Sequence, residues 1–256
     1  MQNLNVGILQ LDQVWQDKQA NFERIEQWLS NKPELDLLLL PEMFHTGFSM
    51  DVKLADNWSN SEGLHFLQKL SHRLNTAIYT SLMVSDGSFY FNRGVFVQPS
   101  GQLHIYDKRK LFGLGGEEGL FTAGRHEQIL EFKGWKINLQ ICYDLRFPEL
   151  IRNRVNTLNE AAYDVLLYVA NWPDRRISHW DSLLGARAIE NQCFVLACNR
   201  VGTDMNNLGY CGHSQVIDML GKKILEPTAQ EGIFMATLDA KLLKEARKQL
   251  PFLKDA

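Results

Sequence analysis

The sequence lacks the features that mark several large classes of protein. Apolar runs such as Leu37-Leu38-Leu39-Leu40 end after a few residues, whereas a membrane-spanning helix needs about 20. The strand-like start at Leu4 has neither the charged flank nor the long apolar core of a signal peptide. The formal net charge of −3 comes with no long basic run, so we expect neither a nucleic acid nor a membrane surface as a partner. Together these absences predict a cytoplasmic protein.

Metal-binding and disulfide patterns are also missing. The four cysteines, Cys142, Cys193, Cys198 and Cys211, show no C-x-x-C spacing, which argues against a zinc knuckle and against a disulfide framework. The seven histidines form no H-x-x-x-H or H-E-x-x-H pair. We therefore expect reduced thiols and no protein-bound metal.

What is present describes an ordinary globular chain of 256 residues with 45% apolar and 22% charged residues. No linker or low-complexity tract separates its halves, so we expect one domain over residues 1–256. Apolar strands alternate with amphipathic helices, which predicts the α/β class. The predicted strands are 4–11, 36–40, 77–84, 89–97, 102–106, 129–132, 135–141, 164–170, 194–198, 214–217 and 233–238, and the predicted helices include 63–74, 179–191, 240–250 and one from about Phe147.

Unusual polar residues follow several of these apolar strands. They are Glu42, Lys108, Cys142, Asn171 and Arg200. In open α/β sheets the ligand crevice lies outside the carboxyl ends of the strands, so residues distant in sequence can converge there. The pattern predicts a site at one edge of the sheet.

Cys142 stands where a strand with period-2 apolar residues, 135–141, passes into the predicted helix. A thiol at such a turn points out of the sheet, and the free N–H groups that open a helix favour a thiolate and can hold an oxyanion. Taken alone, a cysteine that ends an apolar strand is more often a small core residue. A base and a cation at matching strand ends would favour the nucleophile.

Glu42 and Lys108 are the candidates for that base and that cation. Glu42 follows four leucines and Pro41. A carboxylate so close to a buried strand is partly desolvated, which raises its proton affinity and suits a general base, although it could instead cap a turn. Lys108 lies in a stretch of cations that would ordinarily face solvent. The glycine-rich segment 113–119 that follows predicts a loop bordering a pocket.

Together these pieces resemble the nitrilase superfamily of carbon–nitrogen hydrolases, and the similarity covers nearly the whole chain. The matching motifs, in the family's order of Glu, Lys and Cys, are Leu40-Pro41-Glu42-Met43-Phe44, Tyr106-Asp107-Lys108-Arg109-Lys110-Leu111-Phe112 and Ile141-Cys142-Tyr143-Asp144-Leu145-Arg146-Phe147-Pro148-Glu149-Leu150, with further similarity in Ala186-Arg187-Ala188-Ile189-Glu190-Asn191-Gln192. The segment Asn171-Trp172-Pro173-Asp174-Arg175-Arg176 looks most like the omega-amidase branch.

The resemblance implies a nucleophile at Cys142, a general base at Glu42 and an oxyanion-stabilising cation at Lys108. A second glutamate often follows the lysine loop in this family, and Glu117 and Glu118 both fit, with Glu117 favoured for catalysis and Glu118 left as a substrate contact. The implied fold is a four-layer α-β-β-α sandwich, usually in homo-oligomers and commonly in dimers. No cofactor is implied.

The resemblance also implies a small-molecule amide substrate, namely a 2-oxo dicarboxylate monoamide such as 2-oxoglutaramate or 2-oxosuccinamate. The substrate carboxylate needs a cationic anchor, for which Arg175, Arg176, Arg146 and Lys110 are candidates by charge, each with a surface ion pair as the alternative. Phe44, Tyr143 and Trp172 are candidates for the pocket wall, with the core as the alternative.

Three other functions stay open at this point. One is deaminated-glutathione amidase, or another aliphatic amidase or nitrilase-like hydrolase. The others are a non-catalytic binding protein and a redox-sensing cysteine protein, because both could keep Cys142.

Overall fold

The computed structural model describes residues 1–31 and 33–255 and contains two β-sheets flanked by four α-helices. The larger sheet comprises β1 (Leu4–Gln10), β2 (Leu37–Leu39), β3 (Asp56–Asn57), β4 (Ala77–Asp86), β5 (Phe89–Val97), β6 (Leu103–Asp107) and β15 (Gly232–Leu238). The second comprises β7 (Ile129–Phe132), β8 (Trp135–Ile141), β9 (Val165–Val169), β10 (Phe194–Cys198), β13 (Gln215–Ile217) and β14 (Lys223–Leu225). A separate hairpin is formed by β11 (Val201–Thr203) and β12 (Gly209–Cys211). The helices are α1 (Lys18–Trp28), α2 (Glu62–Leu74), α3 (Ile177–Asn191) and α4 (Ala240–Gln249).

Both sheets combine a parallel centre with antiparallel edges. The larger sheet has the order β15-β1-β2-β4-β5-β6, with β3 also paired to β4, and its parallel pairs are β1–β2, β2–β4 and β3–β4. The second sheet has the order β14-β13-β10-β9-β8-β7, with β8, β9 and β10 parallel. β6 runs in the same direction as β2, because two antiparallel steps separate it from β4. The carboxyl ends of β2 and β6 therefore lie on the same side of the larger sheet.

The four consecutive leucines of β2 show how the layers are built. Leu37 and Leu39 belong to the core between the two sheets, whereas Leu38 and Leu40 belong to the core beneath α1 and α2. Successive side chains of a strand point to opposite faces, so a strand covered on both faces is apolar throughout.

The outer face of the second sheet is covered in the same way. Trp180 and Leu184 of α3 and Leu243 of α4 pack in one apolar cluster with β8, β9 and β10. The order of layers is thus helices, sheet, sheet, helices. The predicted α-β-β-α sandwich is confirmed. No helix among the described residues is both long and apolar enough to cross a membrane.

The helix predicted from about Phe147 is wrong. The chain forms two short 3₁₀ helices there, Cys142–Arg146 and Pro148–Leu150. Phe147 between them has φ −117° and ψ 86°, outside the helical region, because the ring of Pro148 disfavours a helical conformation in the residue before it.

The other predicted elements are present, with ends shifted by a few residues. Four short strands, β3, β11, β12 and β14, were not predicted. Each has two or three residues, which is too few for alternation of apolar and polar side chains to show.

We expect Leu167→Ala to lower the free energy of unfolding by about 2–5 kcal/mol, because Leu167 is fully buried in the central strand β9 and truncation leaves a cavity. Leu158→Ala is the matched control, since that leucine is 75% exposed, and its expected effect is within about 0.5 kcal/mol. Urea unfolding of the two variants measures the difference. Equal losses would contradict the placement of β9 in the core.

Candidate active site

Glu42 lies fully buried just beyond the carboxyl end of β2, and both of its carboxylate oxygens are hydrogen-bonded. Oε1 accepts from the Asn92 side-chain amide at 2.8 Å and from Lys108 Nζ at 2.9 Å. Oε2 accepts from the backbone N–H of Asn171 at 2.9 Å. Asn171 follows β9, so this bond joins the carboxyl end of β2 in the larger sheet to that of β9 in the second sheet.

The backbone around Glu42 is also fixed. Met43 has φ 46°, in the left-handed region that non-glycine residues seldom adopt, and its N–H donates to Ser81 Oγ at 2.9 Å. The carbonyl of Glu42 accepts from the side chains of Gln13 at 3.0 Å and Asn171 at 2.6 Å. The carboxylate is therefore held in one position before any ligand binds.

Lys108, just beyond β6, places its amine between two carboxylates. Nζ lies 2.9 Å from Glu42 Oε1 and 2.7 Å from Glu117 Oε2, and all three side chains are fully buried. Burial by itself lowers the pKa of Lys108, but the charges of Glu117 and Glu42 raise it above its usual range. The amine consequently stays an ammonium ion.

Glu117, and not Glu118, faces this site. The Glu117 carboxylate accepts from the Asn92 amide at 3.1 Å and from the backbone N–H of Phe112 at 2.7 Å, in addition to Lys108. Glu118 is exposed and does not line the cavity described below, so the structure does not support it as a substrate contact. Two adjacent glutamates in a glycine-rich loop carry no sequence signal that tells which one turns inward.

Cys142 follows β8 directly and has φ 42°, again in the left-handed region. Asp144 holds this turn, because its Oδ2 accepts from the backbone N–H of Ile141 at 3.0 Å and from the Tyr106 hydroxyl at 2.8 Å. Arg187 of α3 donates twice to the carbonyl of Leu145, at 3.1 and 2.7 Å. A non-glycine residue keeps this uncommon conformation only where neighbouring contacts enforce it, as these contacts do at Cys142.

The surroundings of Cys142 favour the neutral thiol over the thiolate. Burial and, next, the negative charge of Glu42 raise its pKa well above the usual range, against the opposing charge of Lys108. The expectation that a helix start would favour the thiolate is wrong, because only a 3₁₀ turn follows Cys142 and two carboxylates lie nearby. Attack by this sulfur requires a base, and Glu42 is the adjacent carboxylate.

A cavity of about 770 Å³ opens onto Cys142. Besides Cys142, its wall includes six residues named from the sequence as pocket candidates, anchor candidates or strand-end residues: Tyr143, Arg146, Asn171, Trp172, Arg175 and Arg176. Further wall residues that sequence reasoning did not identify are Trp15, Phe48, Phe112 and Tyr210.

Two candidates lie elsewhere. Phe44 is fully buried in the core beneath α1 and α2, with its ring 5.9 Å from that of Phe22, so its assignment to the pocket wall is wrong. Lys110 lies 3.6 Å from Glu149 at the surface and is not part of the cavity wall. Lys110 is therefore a surface ion-pair residue and not an anchor for the substrate carboxylate.

Two further buried residues, Arg200 and Asn92, differ in whether the sequence analysis identified them. Arg200 follows β10 as predicted but is buried against Asp12, at 3.0 Å, and the ring of Tyr210. Asn92, which bonds both glutamates, was not identified, since one asparagine within a predicted strand gives no signal of its own. Among residues 1–31 and 33–255, no three His, Cys, Asp or Glu side chains gather as metal ligands.

Comparison with known proteins shows the family to which this chain belongs. Residues 5–248 match the family model described as "Carbon-nitrogen hydrolase". The chain belongs to the carbon–nitrogen hydrolase family. It is 40% identical to a Yersinia enterocolitica protein named omega-amidase YafV, over 100% of this chain and 97% of that protein. It is 32% identical to a 2-oxoglutaramate amidase of Bacillus subtilis, over 98% of this chain and 96% of that protein.

Solved structures of the carbon–nitrogen hydrolase family agree with the fold. XC1258 from Xanthomonas campestris, described as having an arsenic adduct in its active site, is 39% identical and superposes with a TM-score of 0.97 over 100% of this chain and 98% of its own. Nit3 of Saccharomyces cerevisiae is 25% identical, with a TM-score of 0.84 over 99% of this chain and 96% of its own.

We expect Glu42→Gln to lower the pKa of the Cys142 thiol, because the negative charge of Glu42 raises that pKa in the parent. Turnover should nevertheless fall by about 100-fold or more, because Glu42 is the predicted general base. The pKa is measured from the thiolate absorbance near 240 nm against pH, with the matching Cys142→Ser protein subtracted. Glu118→Gln is the control and should change neither quantity. A higher thiol pKa in Glu42→Gln would contradict the electrostatic assignment.

Proposed function

We propose that the protein is an omega-amidase that hydrolyses the ω-amide of small 2-oxo dicarboxylate monoamides, such as 2-oxoglutaramate and 2-oxosuccinamate, to the acid and ammonia. One observation carries the proposal: Cys142 borders a cavity beside a buried Glu42–Lys108–Glu117 cluster, and arginines line the same cavity. The names of the relatives, omega-amidase and 2-oxoglutaramate amidase, support this choice of substrate.

Acylation begins with the neutral thiol. Glu42 takes the thiol proton as Cys142 Sγ attacks the amide carbonyl carbon, which forms a carbon–sulfur bond and moves the carbonyl π electrons onto oxygen. The Lys108 ammonium and the backbone N–H of Tyr143 stabilise this oxyanion. Because the donors are already in place, little reorganisation accompanies the appearance of charge.

Collapse of the tetrahedral intermediate breaks the carbon–nitrogen bond. Glu42 returns its proton to the departing nitrogen, so ammonia leaves and a Cys142 thioester remains. Glu42 then takes a proton from water, which attacks the thioester carbonyl. The acid leaves, and the proton returns from Glu42 to the thiol, so the cycle needs no further reagent.

Glu117 acts on this cycle through Lys108 and Asn92. It is the largest favourable influence on the charged state of Lys108, and it accepts a hydrogen bond from Asn92, which also donates to Glu42. When Glu42 is protonated during attack, Glu117 still pairs with the ammonium. This leaves Lys108 charged at the moment when the oxyanion forms.

The redox-sensing alternative is disfavoured by the thiol itself. Redox-sensor cysteines are low-pKa, accessible thiolates, whereas burial raises the pKa of the Cys142 thiol well above its usual range. A non-catalytic binding protein would have no use for a base, a cation and a thiol held beside one another. Deaminated-glutathione amidase remains the closest competitor and is separated by comparing substrates.

A cytoplasmic homodimer completes the proposal. The four cysteines are unpaired, as is usual in a reducing compartment. The dimer follows the usual state of the family. Sedimentation velocity at micromolar concentration tests it, and a purely monomeric species would exclude it.

Purified protein should release ammonia from 2-oxosuccinamate at least about tenfold faster, in kcat/KM, than from deaminated glutathione. Cys142→Ala should lower the rate by more than about 1,000-fold, because the nucleophile is lost. The control is Cys211→Ala, which replaces a partly exposed cysteine outside the cavity wall and should keep the parent rate. Ammonia from Cys142→Ala at the parent rate would exclude the thiol mechanism.

A further inference from the structure

Three arginines share one wall of the cavity that holds Cys142. They are Arg146, on the 3₁₀ turn of the cysteine, and Arg175 and Arg176, on the 3₁₀ turn that precedes α3. None of the three forms an ion pair with a carboxylate in the described part of the chain. Arginines elsewhere do, as Arg93 does with Asp107 at 2.7 Å.

Aromatic faces, rather than acids, hold two of these guanidinium groups. Arg176 Cζ lies 5.4 Å from the ring centre of Phe112, and Arg146 Cζ lies 4.6 Å from that of Trp172. One nitrogen of Arg146 is also 3.2 Å from His179 Nδ1. Stacking occupies the face of a guanidinium and leaves its N–H edge available to an anion.

The acidic residues on the cavity wall are engaged elsewhere. Asp204 accepts from the Tyr210 hydroxyl at 3.0 Å and from the backbone N–H groups of Asn206 and Leu208. Asp51 accepts from the backbone N–H of Lys53 at 3.1 Å. Neither carboxylate forms an ion pair with one of the three arginines, so the guanidinium N–H groups are not occupied by an acid of the wall.

The positive charges of the three arginines also repel one another. Burial, followed by the positive charges of Arg175 and Arg146, lowers the pKa of Arg176 from its usual value. An anion bound between these groups would relieve that repulsion. Arg176 is half-buried and Arg175 is exposed, so the inner position belongs to Arg176.

We propose that Arg176, assisted by Arg146, binds the carboxylate of the substrate at the end remote from the scissile amide, and that Arg175 does not. This inference rests on the proposed amidase function and specifies its selectivity. A monoamide with a distal carboxylate would gain charge-assisted, bidentate hydrogen bonds there, whereas a neutral aliphatic amide would not.

The test compares Arg176→Gln with Arg175→Gln, which removes the adjacent, exposed charge. For 2-oxosuccinamate we expect Arg176→Gln to raise KM by about 10–100-fold with kcat within about threefold, because a charged hydrogen-bonding partner is lost. Arg175→Gln should stay within about twofold of the parent. With butyramide, which has no carboxylate, kcat/KM should be equal in Arg176→Gln and parent within about twofold. A general structural defect would lower the rates for both substrates.

A binding measurement separates this inference from the proposed function. 2-Oxoglutarate should protect Cys142 from iodoacetamide, and the half-protecting concentration should rise by about tenfold or more in Arg176→Gln but not in Arg175→Gln. Failure of the parent to release ammonia from 2-oxosuccinamate would reject the proposed substrate and leave this result standing. Absence of protection in the parent, or equal protection of parent and Arg176→Gln, would overturn the proposal that Arg176 binds the distal carboxylate.

Discussion

The buried ammonium of Lys108, held between the carboxylates of Glu42 and Glu117, is the interaction on which the rest of the site depends. Breaking a buried ion pair by removing one partner typically costs about 3–5 kcal/mol, because the remaining charge is left without compensation. The cluster therefore fixes the end of β2, the end of β6 and the loop after β6 relative to one another. The same contacts that stabilise the buried charges place Glu42, the proposed base, and Lys108, the proposed oxyanion-stabilising cation, beside the sulfur of Cys142.

The resting charge distribution explains why the thiol stays neutral until substrate arrives. Two carboxylates and one ammonium leave a net negative charge beside Cys142, and burial adds to the cost of a thiolate. In the proposed mechanism, proton transfer to Glu42 removes one negative charge as the new oxyanion forms. One negative charge therefore moves from Glu42 to the oxyanion, and the net charge of the site does not change. A fixed, buried cluster stabilises such a transition state well, because its charges and dipoles are already in place.

The sequence predicts those parts of the fold that periodicity and strand ends encode. Four leucines before Glu42 indicate a strand buried on both faces, and the polar residues after successive strands indicate a common edge. Local geometry is harder to predict from the sequence. Pro148 prevents the helix expected after Cys142. Nothing in the sequence indicates that Glu117 and not Glu118 turns inward. Phe44 is the last residue of the motif that contains Glu42, yet it points into the core, because alternation along the chain fails where the backbone turns at Met43.

In the proposed mechanism, the carbon–nitrogen bond breaks by transfer of the acyl group to Cys142. Rapid acid quenching of the enzyme during turnover of 2-oxosuccinamate, followed by mass spectrometry of the peptides, detects this acyl group. We expect an acyl adduct on the peptide that contains Cys142. The adduct should be absent from Cys142→Ala and should be lost on treatment with hydroxylamine. Full ammonia release with no adduct at any quench time, or an adduct on another residue, would contradict this mechanism.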